Sequence, residues 1–181
     1  MYKRQVNNFL SGLILIFSRT LHEGDVIDVG NLQGVVRKIS VRATTVETFD
    51  NAIIFVPNSE FVSNRLINWT RNGRIVRREV AIGVAYGTDP KLVERLLVEV
   101  AQSVPQIVRR PQPFVLFMDF ADSTLNFVLR YWSDIGTATD AASAIRHRIV
   151  EVFAEHQVEI AFPQLDVHVI PQTPSLTRAE G

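Results

Sequence analysis

Hydrophobic positions are distributed very unevenly along the chain, and the first cluster of them stands apart. From Phe9 to Phe17 only Ser11 and Gly12 interrupt an apolar run. Wound as a helix, Phe9, Leu10, Leu13, Ile14, Leu15, Ile16 and Phe17 cover nearly the whole circumference. An all-round apolar helix is buried in protein or lies against lipid. At 1.5 Å per residue the run reaches about 14 Å, half of a ~30 Å hydrocarbon core, so it does not cross a bilayer alone. Lys3 and Arg4 precede it as in a signal peptide, but Ser18-Arg19-Thr20-Leu21 lacks small residues at the cleavage positions.

After Arg19 the period shortens. Val, Ile, Thr and Phe dominate, broken by Gly24-Asp25, Gly30-Asn31, Gly34 and Asp50-Asn51. This punctuation predicts a small barrel or meander with strands near 26–29, 34–40, 42–49, 52–57 and 64–70. Pro57 has no N–H for a ladder and should end the fourth strand at a sheet edge. Asn58 or Ser59 is placed to cap a single helical turn through Phe61 and Val62, and Asn64 to open the fifth strand.

From Gly73 the pattern changes again. Val76, Val80, Ile82 and Val84 lie on a long alternating strand. Asp89 and Pro90 start a helix carrying Leu92, Val93, Leu96, Leu97 and Val100 at helical spacing. A hairpin follows, turning at Ala121-Asp122-Ser123, and then a helix with Ala142, Ile145, Ile149, Val152 and Phe153. Residues 160–170 close the order β-α-β-β-α-β, which predicts a ferredoxin-like sandwich, and 172–181 read as a flexible tail. There is no internal repeat.

Composition adds exclusions. Nineteen basic residues balance nineteen acidic ones across 181 residues, which argues against a nucleic-acid binder of the usual basic kind. Without cysteine, disulfides, zinc–thiolate sites and thiol nucleophiles are ruled out. His22, His147, His156 and His168 have no metal-ligand spacing, and neither a phosphate loop nor a nucleophile elbow is present. Asp119 and Asp122, beside the hairpin turn, suit Asx turns better than a cation site. His147 and Glu151 form an (i, i+4) pair on a solvated helix face. No nucleophile, base and oxyanion site assemble, so the chain reads as non-enzymatic, with no cofactor. Arg65, Arg71, Arg74, Arg77 and Arg78 form a basic cluster that suits either a solvated strand face or an anionic partner, lipid headgroups or RNA. RNA would ask for an aromatic platform, yet Trp69 stands alone there and suits packing at a domain border.

At this level of detail the residues carry a family. Asn8 and Gly12 followed by the apolar run and Arg19, the Gly24-Asp25 turn, Gly34-Val35-Val36, Thr44-Thr45, Val56-Pro57-Asn58-Ser59 and Ile67-Asn68-Trp69-Thr70-Arg71 resemble the small-conductance mechanosensitive channel family. Residues 82–89 and 162–169 resemble the family's cytosolic part. The resemblance implies a mainly β plus α+β architecture. Its parts are the end of a pore helix at 1–19, an Sm-like five-stranded β-domain at 20–71, a ferredoxin-like α+β domain at 72–163, a barrel strand at 164–171 and the tail.

The family also implies a function for these parts. The chain would form a cytosolic vestibule that passes ions and small solutes under membrane tension in osmotic downshock. It would sit as a homo-oligomer, seven subunits in the best-known members, on the cytoplasmic side of an inner membrane. Phe9, Leu10, Leu13, Ile14, Phe17 and Arg19 would lie at the lipid interface. Asn8 and Asn51 would couple that helix to the β-domain, and Pro57, Asn58, Asn68 and Arg71 are the family motif. Asp166, Val167, His168 and Val169 would build a parallel barrel with one strand per subunit, Val167 and Val169 facing one side. Nothing matches the tension-sensing helices or the constricting half of the pore helix, so a fragment or truncated form of a larger channel is expected. The competing expectation is a soluble module, an RNA-binding small barrel joined to a ferredoxin-like regulatory domain.

Overall fold

The computed structural model describes residues 2–18 and 21–164, and the side chains of its first helix from Val6 to Leu15. That helix, α1 (Tyr2–Ser18), is longer than its apolar run. Five strands follow: β1 (Val26–Val29), β2 (Leu32–Ile39), β3 (Ala43–Glu47), β4 (Ile53–Pro57) and β5 (Leu66–Asn68), with the short helix α2 (Asn58–Ser63) between the last two. They form one antiparallel sheet in the order β4-β3-β2-β1-β5, so β4 and β5 are its edges. Pro57 ends an edge strand, as its missing N–H requires.

Two local expectations are corrected. The residue at the helix cap is Pro57, and neither Asn58 nor Ser59 caps α2 through its side chain. Asn64 does not open β5, which is only three residues long and starts at Leu66; Asn64 is the C-cap of α2, its N–H donating to Glu60 O.

The alternation in β1 to β4 puts Ile27, Val29, Val36, Val46 and Val56 on one face, where they are buried with Phe61, Leu21 and Leu15. Gly34 is required at its place. A side chain there would collide with the Glu47 carbonyl and lie 2.8 Å from Val46 Cγ1.

The second unit is built from β6 (Ile75–Val84), α3 (Pro90–Ser103), β7 (Phe114–Phe120), β8 (Leu125–Asp134) and α4 (Ala138–Glu155), with a 3-10 turn at Ile135–Thr137. The strand order is β6-β8-β7, all antiparallel. Asp89 caps α3 by accepting from Lys91 N at 3.0 Å, with Pro90 at the first helical position. One face of the sheet presents Val80, Val84, Leu125, Phe127 and Leu129 to Val93, Leu96, Leu97, Ile145, Ile149 and Phe153 of the two helices. Ala141, not Ala142, is the fully buried alanine of α4. The closing strand is reduced, among the described residues, to one bridge between Ile160 and Val84, with Ala85 N donating to Glu159 O and Ala161 N to Gly83 O. This is the edge where a ferredoxin-like fourth strand would lie. The barrel strand expected at 164–171 falls, after Gln164, outside the described residues, as do the tail, Arg19, Asp166, Val167, His168 and Val169. The side chain of Phe17 is outside them too.

Candidate functional site: the helix seat and the strand-exit clasp

The Pro57-Asn58-Ser59 corner is a seat for α1. Pro57 stops β4 and turns the chain into α2, which drives the Asn58 side chain inward until the residue is fully buried. Its Nδ2 donates to Ser40 O at 2.8 Å, and its Oδ1 accepts from the Thr44 hydroxyl at 2.9 Å. A buried amide is tolerable only with such partners. These bonds tie α2 to the start of β3, and the backbone adds Asn58 N to Arg42 O. On this surface α1 sits through its smallest residues. Ser11 and Gly12 are buried, and Leu15 one turn on enters the β-domain core. A Cβ on Gly12 would collide with the Val41 carbonyl oxygen and lie 2.6 Å from Asn58 Nδ2, so only glycine lets the helix approach this far. Ser59 N donates to Asn8 Oδ1 at 3.3 Å, joining the start of α2 to α1.

The outward face of α1 is different. Val6, Phe9, Leu10 and Ile14 are 46–62% exposed, and Leu13 is half-buried at the border. The helix is therefore apolar on both sides for two reasons: one side packs on protein, and the other has no cover among the described residues.

A second cluster closes the far end of the β-domain. Asn68 Oδ1 accepts from the backbone N–H of Thr70 and of Arg71, both at 3.0 Å, and its Nδ2 donates to Asp25 Oδ2 at 2.7 Å. The Thr70 hydroxyl donates to Asp25 Oδ1 at 3.2 Å and accepts from Val26 N at 3.0 Å. His22 N donates to the same carboxylate at 2.8 Å, and an Arg71 guanidinium N–H donates to His22 Nδ1 at 3.0 Å. Each of Asn68, Thr70 and Arg71 thus fastens the outgoing chain to the incoming Leu21–Val26 segment. Bonds to the charged Asp25 are the stronger kind.

The helix seat and this clasp sit on the residues that carry the resemblance, and the comparisons with known proteins agree. Residues 4–71 match the family model for the mechanosensitive ion channel beta-domain, and residues 79–160 match that for the C-terminal part of the mechanosensitive ion channel MscS. The chain belongs to the MscS-like mechanosensitive channel family. It is 42% identical over 163 residues to an uncharacterized MscS family protein of Haemophilus influenzae, and 37% identical over 163 residues to the mechanosensitive channel MscK of Escherichia coli. Each comparison takes in 90% of this chain but 15% of the relative's length. Among solved structures it resembles Helicobacter pylori MscS in its closed state. There the TM-score is 0.85 at 28% identity, covering 94% of this chain and 67% of that one. The family is one of ion channels, not of enzymes.

Of the motif residues, Asn58, Asn68 and Arg71 act through the bonds just described, and Pro57 through the end of β4. The two residues expected to couple helix to β-domain are not brought together. Asn8 meets Ser59, whereas Asn51 lies in the turn between β3 and β4, with a positive φ of 62° and its N–H on Thr48 O. The reason is geometric: that turn and α2 sit at opposite ends of β4. Glu151 pairs with Arg148 at 2.7 Å, not with His147. The basic cluster is divided as well, since Arg74 pairs with Asp134 and Arg78 lies 5.8 Å over the Trp69 ring. Ser11, Thr44 and Asp25 were not foreseen as partners. The signal for Ser11 and Gly12 was present as the one small-residue break in the apolar run. Among the described residues no helix is long and apolar enough to cross a membrane, and no group of three metal-ligating side chains gathers.

Proposed function

We propose that this chain is the cytosolic vestibule module of a mechanosensitive channel, lying under the inner membrane of a bacterium and passing ions and small solutes when tension opens the pore. The observation that carries it is the two-sided α1. Its small face is seated on Asn58 and Val41, and its large apolar face is uncovered among the described residues. A helix fixed in this way presents Phe9, Leu10 and Ile14 to the lipid interface and transmits its position to the β-domain. Family membership supports the channel reading. The chain spans 15% of the length of MscK.

Assembly as a homo-oligomer, seven subunits on the family pattern, follows from the same family and from the sheet edges. β4 is an open edge whose Ile53 and Phe55 are 50% and 71% exposed, and β5 is an open edge carrying Ile67. Bare apolar edges of this kind call for a partner. The barrel of Asp166, Val167, His168 and Val169 would complete the ring.

The test uses liposome flotation and patch recording. Phe9→Glu and Leu10→Glu should abolish binding of the chain to liposomes while leaving its circular dichroism unchanged. Placed in a full-length channel, they should raise the tension needed to open. Unchanged flotation in both variants would remove the interfacial role of α1.

A further inference from the structure

The turn between β2 and β3 is pinned against α1 through three consecutive carbonyls. Ser40 O accepts from Asn58 Nδ2 at 2.8 Å, Arg42 O accepts from Asn58 N at 3.1 Å, and the Val41 carbonyl stands where a side chain on Gly12 would begin. The backbone of the turn is thus committed to the seat of the helix. Its side chains are not: Lys38, Val41 and Arg42 are all exposed, Val41 by 44%. Turns are usually made of Gly, Pro, Asn, Asp and Ser, so a bare valine between two cations is an unusual choice for this one.

Neither Lys38 nor Arg42 has a carboxylate partner among the described residues, whereas the adjacent Arg37 is held by Glu47 at 2.7 Å. Two carboxylates stand at this end of the domain. Glu23 accepts from Ile39 N at 3.3 Å, and Glu60 lies on α2; neither pairs with the turn. At the other end of the same strands the turns Gly30-Asn31 and Thr48–Ala52 carry Asp50 and no basic residue. The two free cations therefore stand at the end of the sheet that holds α1.

Depth decides what they meet. At 3.6 residues per turn Leu10 and Ile14 lie about 160° round the helix from Gly12, so the uncovered face of α1 and the turn are on opposite sides of it. An interfacial helix buries its apolar face roughly 5–10 Å into the headgroup and acyl boundary, and a helix is about 10–12 Å across. A turn fastened to its back is held at headgroup level, within reach of long Lys and Arg side chains. We propose that the β2–β3 turn is a second foothold on the bilayer, in which Lys38 and Arg42 bind the phosphates of anionic lipid headgroups and Val41 enters the interface between them. This rests on the reading of α1 as an interfacial helix and adds to it a charge-selective contact made by the β-domain itself. Because the carbonyls of the same turn hold Asn58, the lipid composition of the leaflet bears directly on the seat of α1.

The test is co-sedimentation of the 181-residue chain with vesicles of phosphatidylcholine alone and of phosphatidylcholine mixed with phosphatidylglycerol, at low and high salt. Binding to the neutral vesicles reads α1, and the excess affinity for the anionic ones reads the turn. The chain should bind both, the anionic vesicles more tightly, and salt should remove the excess. Lys38→Gln and Arg42→Gln should each lower anionic affinity about fivefold, the effect of one basic residue near a charged surface, and leave neutral binding and circular dichroism unchanged. Val41→Ser should weaken binding to both kinds of vesicle. Equal affinity of the unsubstituted chain for the two vesicles, or an anionic preference undiminished in Lys38→Gln and Arg42→Gln, would overturn the foothold and leave the interfacial reading of α1 standing. Binding to neither vesicle would overturn both.

Discussion

Asn58→Ala is the sharpest test of the helix seat. The substitution removes two hydrogen bonds, to Ser40 O at 2.8 Å and from Thr44 Oγ at 2.9 Å. Each is worth about 0.5–1.5 kcal/mol net. The two abandoned partners differ in consequence. Ser40 is exposed and its carbonyl is rehydrated at little cost, but Thr44 is fully buried and keeps an orphan hydroxyl. That orphan adds about 1–3 kcal/mol, so the whole loss is about 2–6 kcal/mol. Thr44→Val alone strands Asn58 Oδ1 and should cost about 1–2 kcal/mol. In the double variant no orphan hydroxyl remains, so the combined loss should fall short of the sum by about 1 kcal/mol or more. The assay is urea unfolding followed by Trp69 emission in the Trp132→Phe background, with the shift in midpoint converted through a common slope. Strict additivity, or a loss below about 1 kcal/mol for Asn58→Ala, would show that the amide does not organise this corner.

Three further outcomes follow from the structure and a fourth from the proposed assembly. Gly12→Ala puts a methyl against the Val41 carbonyl and should cost about 1–3 kcal/mol as overpacking, lifting α1 and speeding its proteolysis; wild-type cleavage rates would refute the close approach. Asn8→Ala removes a bond of about 0.5–1.5 kcal/mol between α1 and Ser59 and should alter closing or inactivation in a full-length channel, a role that unchanged kinetics would exclude. The Arg74 guanidinium, with help from Gly136 N–H, holds the Asp134 carboxyl below its usual range. A lowered native pKa contributes stability that is complete above the ordinary aspartate value of about 3.9 and is lost as pH falls through the native one; Arg74→Gln should therefore flatten the acid limb of a plot of urea midpoint against pH, and an unchanged limb would refute the pairing. Deleting 164–181 should lower the mass measured by light scattering on dilution while deleting 172–181 should not, and equal masses would show that the barrel strand does not join the subunits.

The elements of this chain were legible in its sequence because their causes are local. Alternating Val, Ile and Thr between Gly and Asn punctuation placed β1 to β4, and Asp89-Pro90 placed the start of α3. The order β-α-β-β-α needed only the change of period from two to 3.6. The motif Asn68-x-Thr70-Arg71 could be recognised but not explained from sequence, since its partner Asp25 lies 43 residues away from Asn68. Asn58 was misread as a cap because residue type favours that role, whereas in the fold its amide turns inward to bond Ser40 O and the Thr44 hydroxyl. The same limit governed α1. Hydrophobicity all the way round says that every face avoids water, but not which face meets protein. That choice was made by Ser11 and Gly12, the residues small enough for the Val41 carbonyl and the Asn58 amide to reach the helix backbone, and close approach between distant segments is a property of tertiary structure alone.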